Sequence, residues 1–168
     1  MVGGLLRHRG LTLSLAESCT GGLIASMLTD VPGASSFFHS SAVTYANSAK
    51  ELLLSVPTSV LERHGAVSAE CAEAMARGAR TKSGTDVALS VTGIAGPGGG
   101  TEQKPVGTVW FGFADKSGSW AVQHRFPGDR DRVRRRTAYV ALELLRRNLQ
   151  GLDIVGFSQT TFRAMVGF

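Results

Sequence analysis

The sequence predicts an α/β protein: a three-layer α/β/α sandwich with a mixed, mostly parallel sheet. Three observations carry this. Short apolar runs and helical patterns alternate through the first half, the order expected of strand–helix–strand units. Residues 86–92 (Asp-Val-Ala-Leu-Ser-Val-Thr) form a nearly continuous apolar run, as in a central strand covered on both faces. Two further strands then follow as a hairpin, which makes the sheet mixed.

Residues 3–9 read as the end of a helix, stopped by Gly10. Residues 11–16 alternate as a strand. A helix is expected over about 20–28, with Leu23, Ile24, Met27 and Leu28 at helical spacing. Pro32-Gly33 is a turn, and residues 37–45 are a strand. Ser48-Ala49-Lys50-Glu51 fits a capping box, so a helix should begin there and end before Pro57. Residues 57–63 form a short helix closed by His64-Gly65. Ser68 caps a longer, alanine-rich helix through about Lys82, stopped by Gly84. The strand at 86–92 empties into a glycine-rich loop through Gly100. Residues 106–114 and 120–126 form the hairpin across Asp115-Lys116-Ser117-Gly118. The last helix starts at Asp129 or Asp131 and carries an apolar stripe of Val133, Val140, Ala141, Leu144, Leu145 and Leu149. Residues 1–150 make one domain. Residues 151–168 break the pattern and read as an atypical C-terminal extension, either docked or loose.

Composition narrows the class. The 168 residues are 43% hydrophobic and 18% charged, which suits a soluble globular domain with a real core. Cys19 and Cys71 form neither a disulfide framework nor a metal pattern and read as free thiols. The four histidines lack metal-ligand spacing, so no metal is expected; no cofactor is expected either. No apolar run reaches the length of a membrane span, and no signal-peptide core follows Arg7-His8-Arg9. The expected compartment is the cytoplasm. The net charge of +5 suits a phosphorylated small substrate as well as nucleic acid.

Four constellations could carry chemistry. Ser18 and Thr20 with Gly21-Gly22 stand between a strand and a helix N-terminus, where backbone N–H groups can hold an anion; a plain helix cap is the competing reading. Ser35 and Lys50 could form a nucleophile and base, because a lysine near a helix N-terminus is pushed toward its neutral form. An exposed lysine on a helix face is the competing reading there. The loop from Thr92 through Gly93 and Gly96 to Gly100 follows a central strand, where α/β proteins bind ligands, but it lacks both phosphate-loop signatures. The arginine-rich run 128–136, including Arg132, could meet a phosphate or could be a solvated helix face. It lacks the interleaved aromatics of a nucleic-acid surface, so nucleic acid is not the expected partner. Cys19 beside Ser18 reads as a small buried hydrophobe rather than a nucleophile.

Six motifs occur in one order: Ala16-Glu17-Ser18-Cys19-Thr20-Gly21-Gly22, Pro32-Gly33-Ala34-Ser35, Val43-Thr44-Tyr45-Ala46-Asn47-Ser48-Ala49-Lys50, His64-Gly65-Ala66-Val67-Ser68, Thr92-Gly93-Ile94-Ala95-Gly96-Pro97-Gly98-Gly99 and Lys104-Pro105-Val106-Gly107-Thr108-Val109. Together, over about residues 5–149, they resemble the CinA C-terminal domain family. The stand-alone members of that family are nicotinamide mononucleotide amidohydrolases. The resemblance implies a metal-free hydrolase of pyridine-nucleotide salvage that works by a Ser/Lys dyad, and a homodimer. It places Lys50 as the base and Ser35 as the nucleophile, with Ser18 the alternative. Tyr45, Thr92 and Arg132 match positions lining the family site. The sequence departs from the family in three ways: a short lead before the first strand, Ser41 where Gly is frequent, and the tail after Gln150. The alternatives are a non-catalytic nucleotide-binding module of the same fold and, behind it, a nucleic-acid-binding protein.

Overall fold

The computed structural model describes residues 2–154. The elements follow in the order α1 (Val2–His8), β1 (Leu13–Glu17), α2 (Leu23–Thr29), a 3₁₀ turn (Ala34–Ser36), β2 (Phe38–Val43), α3 (Asn47–Leu54), α4 (Thr58–His64), α5 (Ala69–Ser83), β3 (Val87–Gly93), β4 (Thr108–Asp115), β5 (Gly118–Arg125) and α6 (Arg130–Leu149). The five strands lie in the order β2-β1-β3-β4-β5. β1 runs parallel to both β2 and β3, whereas β3–β4 and β4–β5 are antiparallel. The sheet is therefore mixed as expected. Its pairings divide evenly, while β4 alone runs against the other four strands.

Alternation along the strands sorts the two faces. Leu13, Leu15, Val87, Leu89, Val91, Val109, Phe111 and Phe113 join one core with Ile24, Val133, Val140 and Leu144, so α2 and α6 cover that face. Ala16, Ala88 and Ala114 join a second core with Leu54, Met75 and Ala79, so α3 and α5 cover the other. The second face is built from small residues, and α5 sits close against it. A Cβ added at Gly112 would overlap the Ala72 carbonyl, and one added at Gly78 would overlap the Leu54 carbonyl.

Helix starts differ from expectation in two places. α2 begins at Leu23, not at Thr20, because Gly21 and Gly22 hold left-handed φ values of 62° and 94°. α3 begins at Asn47, so Ser48 lies inside the helix. The N-cap is Ala46, which has no side-chain cap, and the expected capping box does not form. By contrast, Ser68 and Asp129 cap α5 and α6, accepting from the Cys71 and Arg132 N–H groups. β2 is shorter than the 37–45 expected, and the 3₁₀ turn before it was not foreseen. Of the extension, residues 151–154 are described. Arg147 donates to the Asp153 carbonyl, and Ile154 reaches the core. Residues 155–168 lie outside the described residues.

Candidate active site

The parallel arrangement of β2, β1 and β3 puts the residues that follow each strand on one edge of the sheet. After β1 the chain turns to α2 on one face; after β2 it turns to α3 on the other. The crevice between such diverging connections is where open α/β sheets bind ligands. Ser18 follows β1, Thr44 and Tyr45 follow β2, and Thr92 sits at the end of β3.

Lys50 enters this crevice from α3. It is 1% exposed. Its Nζ lies 2.7 Å from the Thr44 carbonyl, 3.5 Å from the Tyr45 carbonyl and 3.3 Å from Ser18 Oγ. Burial pushes the amine below its ordinary 10.5, against a weaker opposing pull from the Cys71 and Cys19 thiols. A neutral amine that donates to the Thr44 and Tyr45 carbonyls turns its lone pair toward the Ser18 hydroxyl. That is the geometry of a nucleophile beside its base.

The structure does not bring Ser35 to Lys50. Ser35 is exposed in the 3₁₀ turn that precedes β2, at the opposite edge of the sheet. Two residues on, the Phe37 carbonyl accepts from the N–H of Leu13 at the start of β1. Among the described residues of one chain, the serine that reaches Lys50 is Ser18.

The N-terminus of α2 is also not an open anion site. The Glu17 carboxylate, fully buried, accepts from the N–H groups of Gly22, Ile24 and Ala25 at 2.9–3.1 Å, and from Ser41 Oγ at 3.2 Å. Ser41 thus adds a side-chain donor to this carboxylate. Gly21 N–H donates to the Ser18 carbonyl. Of the turn residues expected to bind substrate, Gly21 and Gly22 therefore have their amides committed. Thr20 is buried with its hydroxyl unpartnered. Thr92 is also buried and donates to the Ala66 carbonyl at 2.7 Å.

Gly93 and Gly96 shape the neighbouring loop rather than line an open cradle. A Cβ on Gly93 would meet Val109 and the Thr108 carbonyl; one on Gly96 would meet Val106. The Gly96 carbonyl accepts from Arg130 at 2.9 Å, and the same guanidinium donates to the Tyr45 hydroxyl at 2.8 Å. Tyr45 is 61% exposed at the rim of the crevice. Arg132, the arginine expected at the site, pairs instead with Asp129 on the exposed side of α6. Arg135 pairs with Asp131 in the same way. The arginines that reach toward the site are Arg130 and, one turn on, Arg134, whose guanidinium donates to the Thr20 carbonyl at 2.9 Å. The sequence reading gives Glu17 no role, and it names the arginine run as a whole while singling out Arg132 rather than Arg130 or Arg134. The helical period could have found the last two, since they share a face four residues apart.

Cys19 is buried, and burial raises its thiol to about 12, which leaves it protonated and unreactive. Among the described residues no group of three His, Cys, Asp or Glu side chains could hold a metal ion. No helix among them is long and apolar enough to cross a membrane.

Comparison with known proteins agrees with this architecture. The model of the CinA C-terminal domain matches residues 1–149. A CinA-like protein of Geobacter sulfurreducens is 59% identical over 148 residues, 88% of this chain and 36% of that protein. A CinA-like protein of Geotalea uraniireducens is 53% identical over 152 residues. The chain spans about a third of the length of these relatives. Among solved structures, a competence-damaged protein (CinA) superfamily protein from Klebsiella pneumoniae superposes with a TM-score of 0.86 at 35% identity, covering 89% of this chain and 94% of that one. A competence/damage inducible protein from Agrobacterium tumefaciens gives 0.83 at 40% identity, covering 89% and 95%. With the family model spanning nearly the whole described chain and the fold shared with solved members, this chain belongs to the CinA C-terminal domain family.

Proposed function

We propose that this chain hydrolyses a carboxamide by a Ser18/Lys50 dyad, converting nicotinamide mononucleotide and water to nicotinate mononucleotide and ammonia. The observation that carries the chemistry is the buried Lys50 amine 3.3 Å from Ser18 Oγ, with the Thr44 carbonyl at 2.7 Å and the Tyr45 carbonyl at 3.5 Å. The choice of substrate follows the family resemblance.

Neutral Lys50 accepts the Ser18 proton as Oγ attacks the carboxamide carbon. The carbonyl oxygen becomes an oxyanion. With the Gly21 and Gly22 amides committed, the Cys19 and Thr20 N–H groups are the donors left in the turn to receive it. Lys50 then delivers its proton to the departing nitrogen. The C–N bond breaks, ammonia leaves, and Ser18 holds the acyl group. Water, deprotonated by Lys50, attacks the ester carbon; the bond to Ser18 Oγ breaks, Lys50 returns the proton to Oγ, and the acid leaves. The substrate phosphate falls to Arg130, the exposed arginine already facing the crevice through Tyr45 and Gly96.

The test is ammonia release from nicotinamide mononucleotide with a chelator present. Lys50→Ala and Ser18→Ala should abolish it, and Ser35→Ala should leave it. A folded wild type that binds the nucleotide and releases no ammonia would sink the reading and leave a binding module.

A further inference from the structure

Opposite charges hold the 18–22 turn from its two backbone sides. On the N–H side, Glu17 Oε2 accepts from Gly22 and Ile24, and Oε1 accepts from Ala25 and Ser41. A fully buried carboxylate is costly unless its lone pairs are filled, and here four donors fill them. On the C=O side, Arg134 donates to Thr20 and lies 3.6 Å from where a Gly21 side chain would begin. The carboxylate faces peptide N–H groups and the guanidinium faces a peptide oxygen. Each therefore makes a charge-assisted hydrogen bond to the same short segment. Ser18 opens that segment, its N–H donating to the Val91 carbonyl and its own carbonyl accepting from Gly21. Two left-handed glycines make the turn easy to deform, so its shape depends on what grips it.

We propose that Glu17 and Arg134 are positioning residues that clamp the 18–22 turn and so keep Ser18 Oγ within reach of Lys50. The proposal rests on the reading of Ser18 and Lys50 as the acting pair. Neither charge needs to touch the substrate. Their loss should therefore lower kcat and leave KM, since a small displacement of a nucleophile costs rate rather than binding.

The experiment compares Glu17→Gln, Arg134→Met, the double variant and Arg135→Met. Arg135 lies one position along the same helix and, among the described residues, pairs with Asp131. Two readouts are taken: steady-state kinetics with nicotinamide mononucleotide, and amide hydrogen exchange across residues 18–25. Glu17→Gln and Arg134→Met should each lower kcat about tenfold or more with KM held within about twofold. The double variant should fall no further than the weaker single, because both act on one turn. Exchange across 18–25 should quicken in both singles, and Arg135→Met should match the wild type in both readouts. An unchanged kcat in folded Arg134→Met overturns the proposal. So does a rise in KM at unchanged kcat, which would put that guanidinium on the substrate. Should Glu17→Gln fail to fold, the half-buried Arg134 carries the test alone. If the wild type itself releases no ammonia, the hydrolase reading fails, and the exchange arm still decides the clamp: unchanged exchange overturns it, and faster exchange supports it.

Discussion

At Lys50, burial sets both the chemistry and the pH dependence of folding. In the unfolded chain the amine keeps its proton up to about its ordinary 10.5; in the folded chain it loses it earlier. Between those two values the unfolded state binds more protons, so Lys50's contribution to stability rises with pH, by at most about 1.4 kcal/mol per unit. The thiols act in the opposite direction. Burial raises Cys19 to about 12 and Cys71 to about 11, so above their ordinary 9.0 the folded state binds more protons and stability falls as pH rises. Lys50→Met removes the first effect and leaves the thiols without the lysine charge that lowers them, so their effect persists. The stability of wild type minus Lys50→Met, from urea unfolding, should therefore climb with pH up to about 10.5, and kcat of the wild type should climb through Lys50's folded value. A flat difference would mean that Lys50 stays protonated in the fold and cannot serve as the base. The sequence points to Lys50 by its place near a helix N-terminus, and that reading picks out the residue the crevice buries, although burial is what lowers its amine. It could not show which serine faces Lys50, because that depends on strand pairing and not on local composition.

Among the elements, α5 and the small-residue face beneath it were only half legible. Its alanines and the Ser68 cap made the helix plain from sequence. That Gly112 and Gly78 set how closely it packs was not, because a glycine in a strand or helix carries no sign of what lies over it. A methyl on Gly112 would drive into the Ala72 carbonyl and Ser90 Oγ, which donates to that same carbonyl; one on Gly78 would drive into Leu54. Backbone cannot step aside as a flexible side chain can. Gly112→Ala and Gly78→Ala should each cost about 1–3 kcal/mol or more in urea unfolding. Gly98→Ala, with no atom near its added methyl, should stay within about 0.5 kcal/mol of wild type. A neutral Gly112→Ala would mean that α5 rides higher on the sheet than its hydrogen bond to Ser90 indicates. The starts of α2 and α3 elude cap rules for different reasons. Cap rules look for a side chain beside the helix, whereas α2 is capped by Glu17 from the preceding strand and α3 has no side-chain cap.

Across the whole molecule, topology decides which serine is available. Ser35 is nearer to Lys50 along the chain, while Ser18 is 32 residues away from it. Yet β1 and β2 are parallel, so Ser18 and Thr44 leave the sheet at one edge and Ser35 enters at the other. The five residues of β1 at about 3.3 Å each set the two edges roughly 17 Å apart. No side-chain motion spans that within one chain. If the protein assembles as a homodimer, each copy should carry its own complete pair. Ser18→Ala mixed with Lys50→Ala should then stay inactive after unfolding and refolding together, since no mixed dimer would hold both groups in one crevice. Ser35→Ala should keep wild-type kcat. The opposite pattern has one structural meaning. If Ser35→Ala is dead, and refolding it with Lys50→Ala restores up to about a quarter of the activity per subunit expected for random mixed pairing, then Ser35 of one copy acts against Lys50 of the other. The 3.3 Å contact of Ser18 with Lys50 would in that case serve to hold the base, and the nucleophile would come from across an interface.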